Sequence, residues 1–385
     1  MRPSTVFRPA FAGLAPLTLT LALAFGLGLG ADVQAAPARQ EGVPRFAHVV
    51  VIVAENKDYD QIVGGLEAPR IAALAKRYGV ATDFFGETHP SEANYVALLG
   101  GDTFGIHDDD PWFCKPGTTD VRCPARAAPD YGDHTVHAPH LGDQLAAAGL
   151  SWRGYFEDIP APGSLEYIAK PGGTDPLSRI NALYASKHTG FTNFASTQAD
   201  PSRVDHLTGF DRLAADLAAD ALPAFAFVVP NQCNEMHGLL GRGVPADCSA
   251  ANLAGLIRRG DTHIGALVDE IQSTAAWRAK ANFAIVITFD EGGKGGREGC
   301  CGATSADGPF LGGGHIPTMV ITNHGPRGLV DPTPFNHYSL LRTIEDAFGL
   351  PGHLAHAGDD AHGVKPMAKL FGGASAVSKD AHAVR

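Results

Sequence analysis

The stretch His48-Val-Val-Val-Ile-Val-Ala54, followed by Glu55-Asn56, predicts a buried strand that ends in two polar side chains. A second stretch, Phe283-Ala-Ile-Val-Ile-Thr-Phe289 followed by Asp290-Glu291, repeats the pattern far along the chain. Uninterrupted runs rich in Val and Ile are typical of strands covered on both faces, as in a parallel sheet. Ligands of open α/β sheets bind at the carboxyl ends of such strands. The two polar pairs therefore predict a cation site, with helix N-caps as the alternative interpretation.

Strand-like and helix-like segments alternate along the rest of the chain. This alternation predicts an α/β fold with a doubly wound, mostly parallel sheet and helices on both faces. Helical spacing occurs over 68–78, 91–99, 140–148, 262–274 and 336–348, and further strands are expected over 80–85, 151–157, 222–229 and 316–322. Residues 103–137 are acidic and rich in proline, which indicates an irregular insertion. We expect one large domain over 46–371 and a loose tail over 372–385.

The first 35 residues have the features of a secretory signal peptide. Arg2 and Arg8 precede an apolar stretch from Leu14 to Leu29, and small residues then lead to a cleavage site near residue 35. Glycines and a proline interrupt the apolar stretch, which disfavours a retained membrane anchor. No later segment reaches about 18 uninterrupted apolar residues, so no stable membrane span is expected. These features predict a secreted or periplasmic protein.

The six cysteines fit an oxidising compartment, where disulfides persist. Local pairing is expected within Cys114–Cys123 and within Cys233–Cys248, because each pair brackets a short loop. The adjacent pair Cys300-Cys301 either forms its own bond or exchanges with the others, since spacing alone does not fix connectivity. We therefore expect irregular insertions that carry disulfides.

Charge limits the class of partner. The formal net charge of −11 disfavours nucleic acid, which would need a basic face. An anionic substrate would need local cations, from a metal ion or from individual basic side chains. Lys187-His188 is one such pair and could hold phosphate oxygens, although a solvated surface pair is the alternative interpretation.

Three further segments carry polar groups that suit phosphate chemistry. Thr88 to Tyr95 places a hydroxyl at the start of a helix, where backbone N–H groups favour a bound phosphate, or it forms only an N-cap. Pro230 to His237 holds Asn, Glu and His side chains that suit metal ligation or proton transfer. His315 follows three glycines. With the acidic pairs, these segments have the composition of a metal-assisted phosphoryl-transfer site.

Six motifs occur in a fixed order: Val51-Ile-Val-Ala-Glu-Asn-Lys-Asp-Tyr-Asp60, Thr88-His-Pro-Ser-Glu-Ala-Asn-Tyr95, Trp152 to Pro160, Pro230 to His237, Thr288-Phe-Asp-Glu-Gly-Gly293 and Asn336 to Glu345. Together they resemble the bacterial secreted phosphoesterase family. That family includes acid phosphatases, phosphatidylinositol-3-phosphate phosphatase-like proteins and, more distantly, phospholipases C. The resemblance covers roughly residues 46–350. It implies an alkaline-phosphatase-like fold and metal-dependent phosphoester hydrolysis.

The resemblance also implies roles for individual residues. The metal positions match Glu55, Asn56, Asp290 and Glu291. The positions around the phosphate match Glu235, a further acidic ligand that stands where aspartate is usual, together with His237 and His315 as proton donors to the leaving oxygen. Oxygen ligands favour Ca²⁺ or Mg²⁺, and Mn²⁺, Zn²⁺ or Fe are the alternatives.

The nucleophile has two possible registers. Ser91-x-x-Asn94 resembles the segment of nucleotide phosphodiesterases in the same superfamily, which implies attack by Ser91 and stabilisation of the phosphoryl oxygens by Asn94. Thr88-x-Pro-Ser91 resembles the sulfatase segment and would make Thr88 the nucleophile. Ala93 departs from the proline usual in relatives, but this change removes no reactive group.

The sequence therefore predicts a secreted, metal-dependent acid phosphatase that works through a phosphoenzyme intermediate. Its partners would be phosphorylated small molecules or lipid headgroups, bound with the help of Lys187, His188 and Asn231. The first alternative is a phosphodiesterase or phospholipase C that acts on phospholipid headgroups. The second is a binding protein on a degenerate hydrolase scaffold. The sequence does not determine the oligomeric state.

Overall fold

The computed structural model describes residues 42–293, 295–302 and 312–373. The predicted signal peptide and almost all of the predicted tail lie outside these residues. Within them, the strands are β1 (His48–Ala54), β2 (Gly79–Ala81), β3 (Phe84–Phe85), β4 (Trp152–Phe156), β5 (Ile168–Pro171), β6 (Ala182–Ala185), β7 (Leu207–Thr208), β8 (Phe225–Val229), β9 (Phe283–Phe289), β10 (Thr318–Thr322), β11 (Leu329–Asp331) and β12 (Phe335–Asn336). The helices are α1 (Tyr59–Ile62), α2 (Pro69–Arg77), α3 (Glu92–Gly100), α4 (Leu141–Ala147), α5 (Ala195–Ala199), α6 (Arg203–His206), α7 (Phe210–Ala218), α8 (Leu253–Gln272), α9 (Ala275–Arg278) and α10 (His337–Phe348).

The central sheet of the described residues has eight strands in the order β11-β2-β10-β9-β1-β8-β4-β7. β10 runs antiparallel to both of its neighbours, and every other adjacent pair is parallel. β8, β9 and β10 are buried throughout, so both faces of the sheet must be covered. Helices α2 and α8 pack against each other, and α3 packs against α4 and α10. The predicted doubly wound, mostly parallel α/β fold is confirmed.

The two apolar runs lie side by side at the centre of the sheet. β1 and β9 pair in parallel along their whole length, and Ala54 stands opposite Phe289. Because the strands end in the same register, the residues that follow them, Glu55 and Asp290, leave the sheet at the same edge. The backbone confirms this register, since Asp290 N donates a hydrogen bond to Ala54 O at 3.0 Å.

Two predicted elements differ in extent from those observed. Residues 80–85 form two short strands, because β2 stays in the central sheet whereas β3 pairs with β12 in a separate two-stranded sheet. Helix α8 begins at Leu253 and not at Thr262. Its first half buries Leu256 and Ile257, but Gly260 and Asp261 take the next buried positions and interrupt the apolar spacing. Asp261 instead accepts hydrogen bonds from backbone N–H groups at the start of α2.

Three disulfides link the described cysteines. Cys114 bonds to Cys123, Cys233 to Cys248, and the adjacent residues Cys300 and Cys301 to each other. The first bond lies in the insertion over 103–137, which is irregular apart from one 3-10 turn, as predicted. Among the helices of the described residues, none combines the length and apolar character that crossing a membrane requires.

Candidate active site

Three loops meet at the carboxyl ends of β1, β8 and β9. Asn56 N donates a hydrogen bond to Asp290 Oδ1 at 3.0 Å, and Glu55 N donates to Glu235 O at 2.8 Å. Asn56 has a φ of +58°, a left-handed conformation that asparagine tolerates better than most residues. The chain therefore turns sharply as it leaves β1, and the polar residues that follow both central strands share one site with Glu235.

Ser91 lies immediately before α3 with its side chain buried inside this site. Its Oγ is 3.1 Å from Glu55 Oε2 and 3.0 Å from Glu291 Oε1. A hydroxyl has one proton, so Ser91 donates to one carboxylate at a time, and both lie within the distance required of a general base. Thr88, the alternative nucleophile, directs its hydroxyl to the carbonyl oxygen of His89 at 3.3 Å.

Several buried polar atoms beside Ser91 lack a hydrogen-bond partner among the described residues. They are Glu55 Oε1, His188 Nε2, Asp290 Oδ2 and both carboxylate oxygens of Glu235. The His188 ring lies 3.1 Å from Glu55 Oε1 and 2.7 Å from Glu235 Oε1, but these contacts fall outside hydrogen-bond geometry. Burying an ionised carboxylate that has no partner costs on the order of several kcal/mol. The cluster therefore has the composition of a ligand site and not of a packed core.

Burial alters the acidity of every group in this cluster. It raises the pKa of Glu55, Glu235 and Asp290, and the charge of Asp290 raises the pKa of the two glutamates further. Burial also raises the pKa of Glu291 to about 7. The imidazole pKa of His188 falls well below its ordinary value for the same reason. A nearby positive charge favours the ionised form of a carboxylic acid, so a bound cation would stabilise these buried carboxylates as anions.

The residues present fit a divalent metal ion. Glu55, His188 and His237 offer ligand atoms that all lie within 4.8 Å of one another. Burial, helped by the charge of Lys187, lowers the pKa of His237 to about 3, so its ring is neutral at the pH of most assays. His237 Nδ1 lies 2.8 Å from Gly238 O, a contact that orients the ring. A set of oxygen and imidazole donors is compatible with each of the predicted ions.

Lys187 supplies a positive charge at the edge of the cluster. Its Nζ donates a hydrogen bond to Asp109 Oδ2 at 2.8 Å. Burial favours the neutral amine, but the charges of Asp109 and Glu55 outweigh burial and raise the pKa of Lys187. The ammonium group of Lys187 is therefore positively charged, and it is already paired with the carboxylate of Asp109.

The structure places three predicted site residues in other contacts. Asn94 Oδ1 accepts hydrogen bonds from the backbone N–H groups of 87 and 88, which holds the loop before Ser91. Asn231 donates from Nδ2 to Asp158 at 2.8 Å, and its Oδ1 accepts from two backbone N–H groups of its own loop. His315 Nε2 lies 2.6 Å from Thr82 O. The roles proposed for these residues with substrate stay predictions.

Two residues that the sequence analysis did not select complete the site. Lys57 is buried and donates from Nζ to three carbonyl oxygens, including Met236 O at 2.7 Å. His89 contacts the carboxylate of Glu291 through Nδ1, and its Nε2 lies 2.8 Å from Gly296 O. Both residues lie inside quoted motifs, next to predicted site residues, and this proximity is the signal that could have identified them.

The chain matches one protein-family profile and individual proteins over most of its length. The sequence profile described as "Phosphoesterase family" matches residues 66–351. The phosphatidylinositol-3-phosphatase of Mycobacterium tuberculosis is 29% identical over 80% of this chain and 79% of its own length. The phosphate-repressible acid phosphatase of Penicillium chrysogenum is 27% identical over 80% of this chain, which spans 60% of that protein.

Solved structures support the fold. The PsFucS1 sulfatase from Pseudoalteromonas sp. aligns with a TM-score of 0.51 over 86% of this chain and 72% of its own, at 12% identity. At that identity the likeness concerns the fold alone.

Proposed function

Because the chain belongs to the phosphoesterase family, we propose that it is a metal-dependent acid phosphatase that hydrolyses phosphate monoesters with Ser91 as nucleophile. The observation that carries the proposal is the buried Ser91 hydroxyl, held between the carboxylates of Glu55 and Glu291. Similarity to an acid phosphatase and to a phosphatidylinositol-3-phosphatase supports a monoester substrate, either a small molecule or a lipid headgroup.

The metal would be held by Glu55, Asn56, Asp290 and Glu291, together with Glu235 and the neutral imidazoles of His188 and His237. The unpaired buried oxygens of Glu55, Glu235 and Asp290 support these three carboxylates as ligands, whereas Asn56 and Glu291 are included from the family resemblance. When bound, a divalent cation would screen the phosphate charge and favour the ionised serine. The proposed place of His188 and His237 in this set rests on their lowered pKa values and on their distance from Glu55.

The residues of the chain itself would perform the remaining steps. Ser91 would pass its proton to Glu55 or Glu291 and attack phosphorus; the bond from phosphorus to the ester oxygen would break, and that oxygen would take a proton from solvent and leave as an alcohol. Lys187 would contribute positive charge to the phosphoryl oxygens, and Ser91 directly precedes α3, whose start favours a bound phosphate. Water would then hydrolyse the phosphoserine and regenerate the enzyme.

Export is part of the proposal. Residues 1–35 would direct the chain out of the cytoplasm, and the three disulfides are compatible with an oxidising compartment. Expression with and without residues 1–35, followed by fractionation of cells and medium, tests this. Retention of both forms inside the cell would contradict export.

The activity is tested with para-nitrophenyl phosphate and its diester, bis(para-nitrophenyl) phosphate, on protein treated with chelator and then reloaded with Mg²⁺, Ca²⁺, Mn²⁺ or Zn²⁺. We expect hydrolysis of the monoester to be at least tenfold faster, to disappear with chelator and to return with metal. Preference for the diester would favour the phosphodiesterase alternative. Absence of turnover of either ester with every metal would favour a binding protein.

A further inference from the structure

Asp109 connects the irregular insertion to the site around Ser91. Its Oδ2 accepts a hydrogen bond from Lys187 Nζ at 2.8 Å, and its Oδ1 accepts one from Glu92 N at 3.2 Å. The backbone carbonyl of Asp109 accepts from Tyr167 Oη at 3.2 Å and from Arg179 Nη2 at 3.0 Å. Two contacts therefore hold the carboxylate, and two more hold the backbone of the same residue.

Without Asp109, the two groups that donate to its carboxylate could donate to a phosphate oxygen instead. Glu92 is the first residue of α3 and directly follows Ser91, so its N–H belongs to the helix start that carries the proposed nucleophile. Backbone N–H groups at a helix start and lysine ammonium groups are both common phosphate donors. In this chain one protein carboxylate accepts hydrogen bonds from both of them.

The charge of Asp109 persists over a wide pH range. Burial favours its protonated form, but Lys187 and the N–H of Glu92 outweigh burial and lower its pKa. The charged and titratable groups that surround it are Lys187, Arg179, Tyr167, His237, Glu291, Glu92 and its neighbours Asp108 and Asp110. The ammonium group of Lys187 directly contacts the carboxylate, and the negative charge of Asp109 offsets the positive charge of Lys187.

We propose that Asp109 is a specificity-determining residue that favours singly charged over doubly charged phosphate groups at this site. The inference rests on the proposed function and extends it to the ionisation state of the substrate. A phosphate monoester has a second pKa of about 6, so it is singly charged in acid and doubly charged above neutrality. A fixed carboxylate beside the phosphate position penalises the second charge. The enzyme would then act best in acid because its substrate has lost one charge there.

The test measures binding without turnover, by titration calorimetry on the metal-loaded protein at pH 5 and pH 8. The probes are inorganic phosphate, which gains a charge between these pH values, and dimethyl phosphate, which stays singly charged. The variant is Asp109→Asn. The matched control is Asp133→Asn, which removes a charge from the same insertion at a side chain that is 41% exposed and pairs with Lys115.

We expect the Asp109→Asn variant to bind inorganic phosphate at least about tenfold more tightly at pH 8, which is one pKa unit of differential interaction. Binding of dimethyl phosphate at both pH values, and of inorganic phosphate at pH 5, should change less than threefold. The Asp133→Asn control should match the wild type. Equal weakening of both probes at both pH values would overturn the proposal, because Asp109 would then only position Lys187.

A second variant covers the case in which Asp109→Asn does not fold. Asp109→Ser removes the same carboxylate and leaves a small hydroxyl in its place, so binding of inorganic phosphate should again tighten at pH 8 while binding of dimethyl phosphate stays within about threefold. Unchanged binding of inorganic phosphate at pH 8 in this variant would contradict the proposal. Failure of the enzyme to hydrolyse a monoester would contradict the proposed function instead, because these binding measurements do not depend on turnover.

Discussion

Two sets of buried carboxylates near Ser91 differ in how completely they are paired. Glu55, Glu235 and Asp290 keep oxygens without a hydrogen-bond partner among the described residues. Glu87 and Glu92 are equally buried, yet each is paired with a buried histidine, His337 and His134 respectively. Glu87 also accepts from His337 N at 2.9 Å, and Glu92 accepts from Asn193 Nδ2 at 2.6 Å.

The histidines that contact the two sets of carboxylates differ in charge. His337 has an acceptor at each ring nitrogen, Glu87 at Nδ1 and Phe289 O at Nε2, so it is charged. Burial opposes the charge of His134, but Glu92 and Asp108 outweigh it and raise its pKa to about 10. His188 and His237 are neutral. The paired carboxylates therefore stabilise the fold, whereas the cluster of unpaired carboxylate oxygens around Ser91 is where a ligand would bind.

The largest expected effect is on Ser91, which contacts the unpaired set. Ser91→Ala should lower kcat for para-nitrophenyl phosphate by about 10³-fold or more, because loss of a nucleophile removes the covalent route. Thr88→Ala, whose hydroxyl contacts only a backbone carbonyl among the described residues, should stay within about threefold. Steady-state kinetics on both variants decide the register. An inactive Thr88→Ala beside an active Ser91→Ala would reverse the assignment.

Asp290→Asn tests the unpaired set directly. We expect metal affinity to fall by about 10- to 100-fold or more and activity to fall with it, as for removal of groups that hold a metal. Stability of the metal-free protein should be unchanged or higher, because one buried charge is lost. Metal titration and thermal unfolding with chelator measure the two effects. A metal-free variant markedly less stable than the wild type would mean that Asp290 is structural.

His337→Leu tests the paired set. Removal of the imidazole leaves Glu87 buried without its ion-pair partner and with only the backbone N–H of residue 337, so the free energy of unfolding should fall by about 3–5 kcal/mol with or without metal. His353→Leu is the control, because its pair with Asp346 is partly exposed and should be worth at most about 1 kcal/mol. Urea unfolding measures both. A His337→Leu loss no larger than that of the control would remove the distinction between the two sets.

The smallest expected effect is on the pH dependence of stability. The pKa of Glu291 is raised from 4.5 to about 7, so between these values the folded state holds a proton that the unfolded state has lost. Stability of metal-free protein should therefore fall as pH rises from 4.5 to 7, by on the order of 2 kcal/mol, and level off above 7. Bound metal should flatten this fall because it stabilises the ionised carboxylates.

The paired set provides the internal control for that measurement. The pKa of His134 is raised from 6.5 to about 10, so its contribution is complete below pH 6.5 and is lost as pH rises towards 10, with or without metal. Thermal unfolding between pH 4.5 and 10, with chelator or with metal, separates the two ranges. A fall between 4.5 and 7 that metal does not alter would contradict the ligand interpretation.

The residues that the sequence predicted best directly follow regular strands. Glu55 and Asp290 could be placed together because parallel strands end at one edge of a sheet. Ser91 could be placed because helix starts also have a fixed geometry. The 80–85 strand was predicted too long because the turn that moves β3 into a second sheet has no apolar signature.

The sequence by itself determined the fold class, the central strands and the loops that meet at their ends, because apolar runs and the polar residues that follow them are local patterns. Only the tertiary structure decided which buried charges are paired. His188 lies between Glu55 and Glu235, and Asp109 takes the contact beside Ser91, because irregular segments bring them there. Pairing depends on distances of a few ångströms between segments far apart in sequence, and no local pattern encodes those distances.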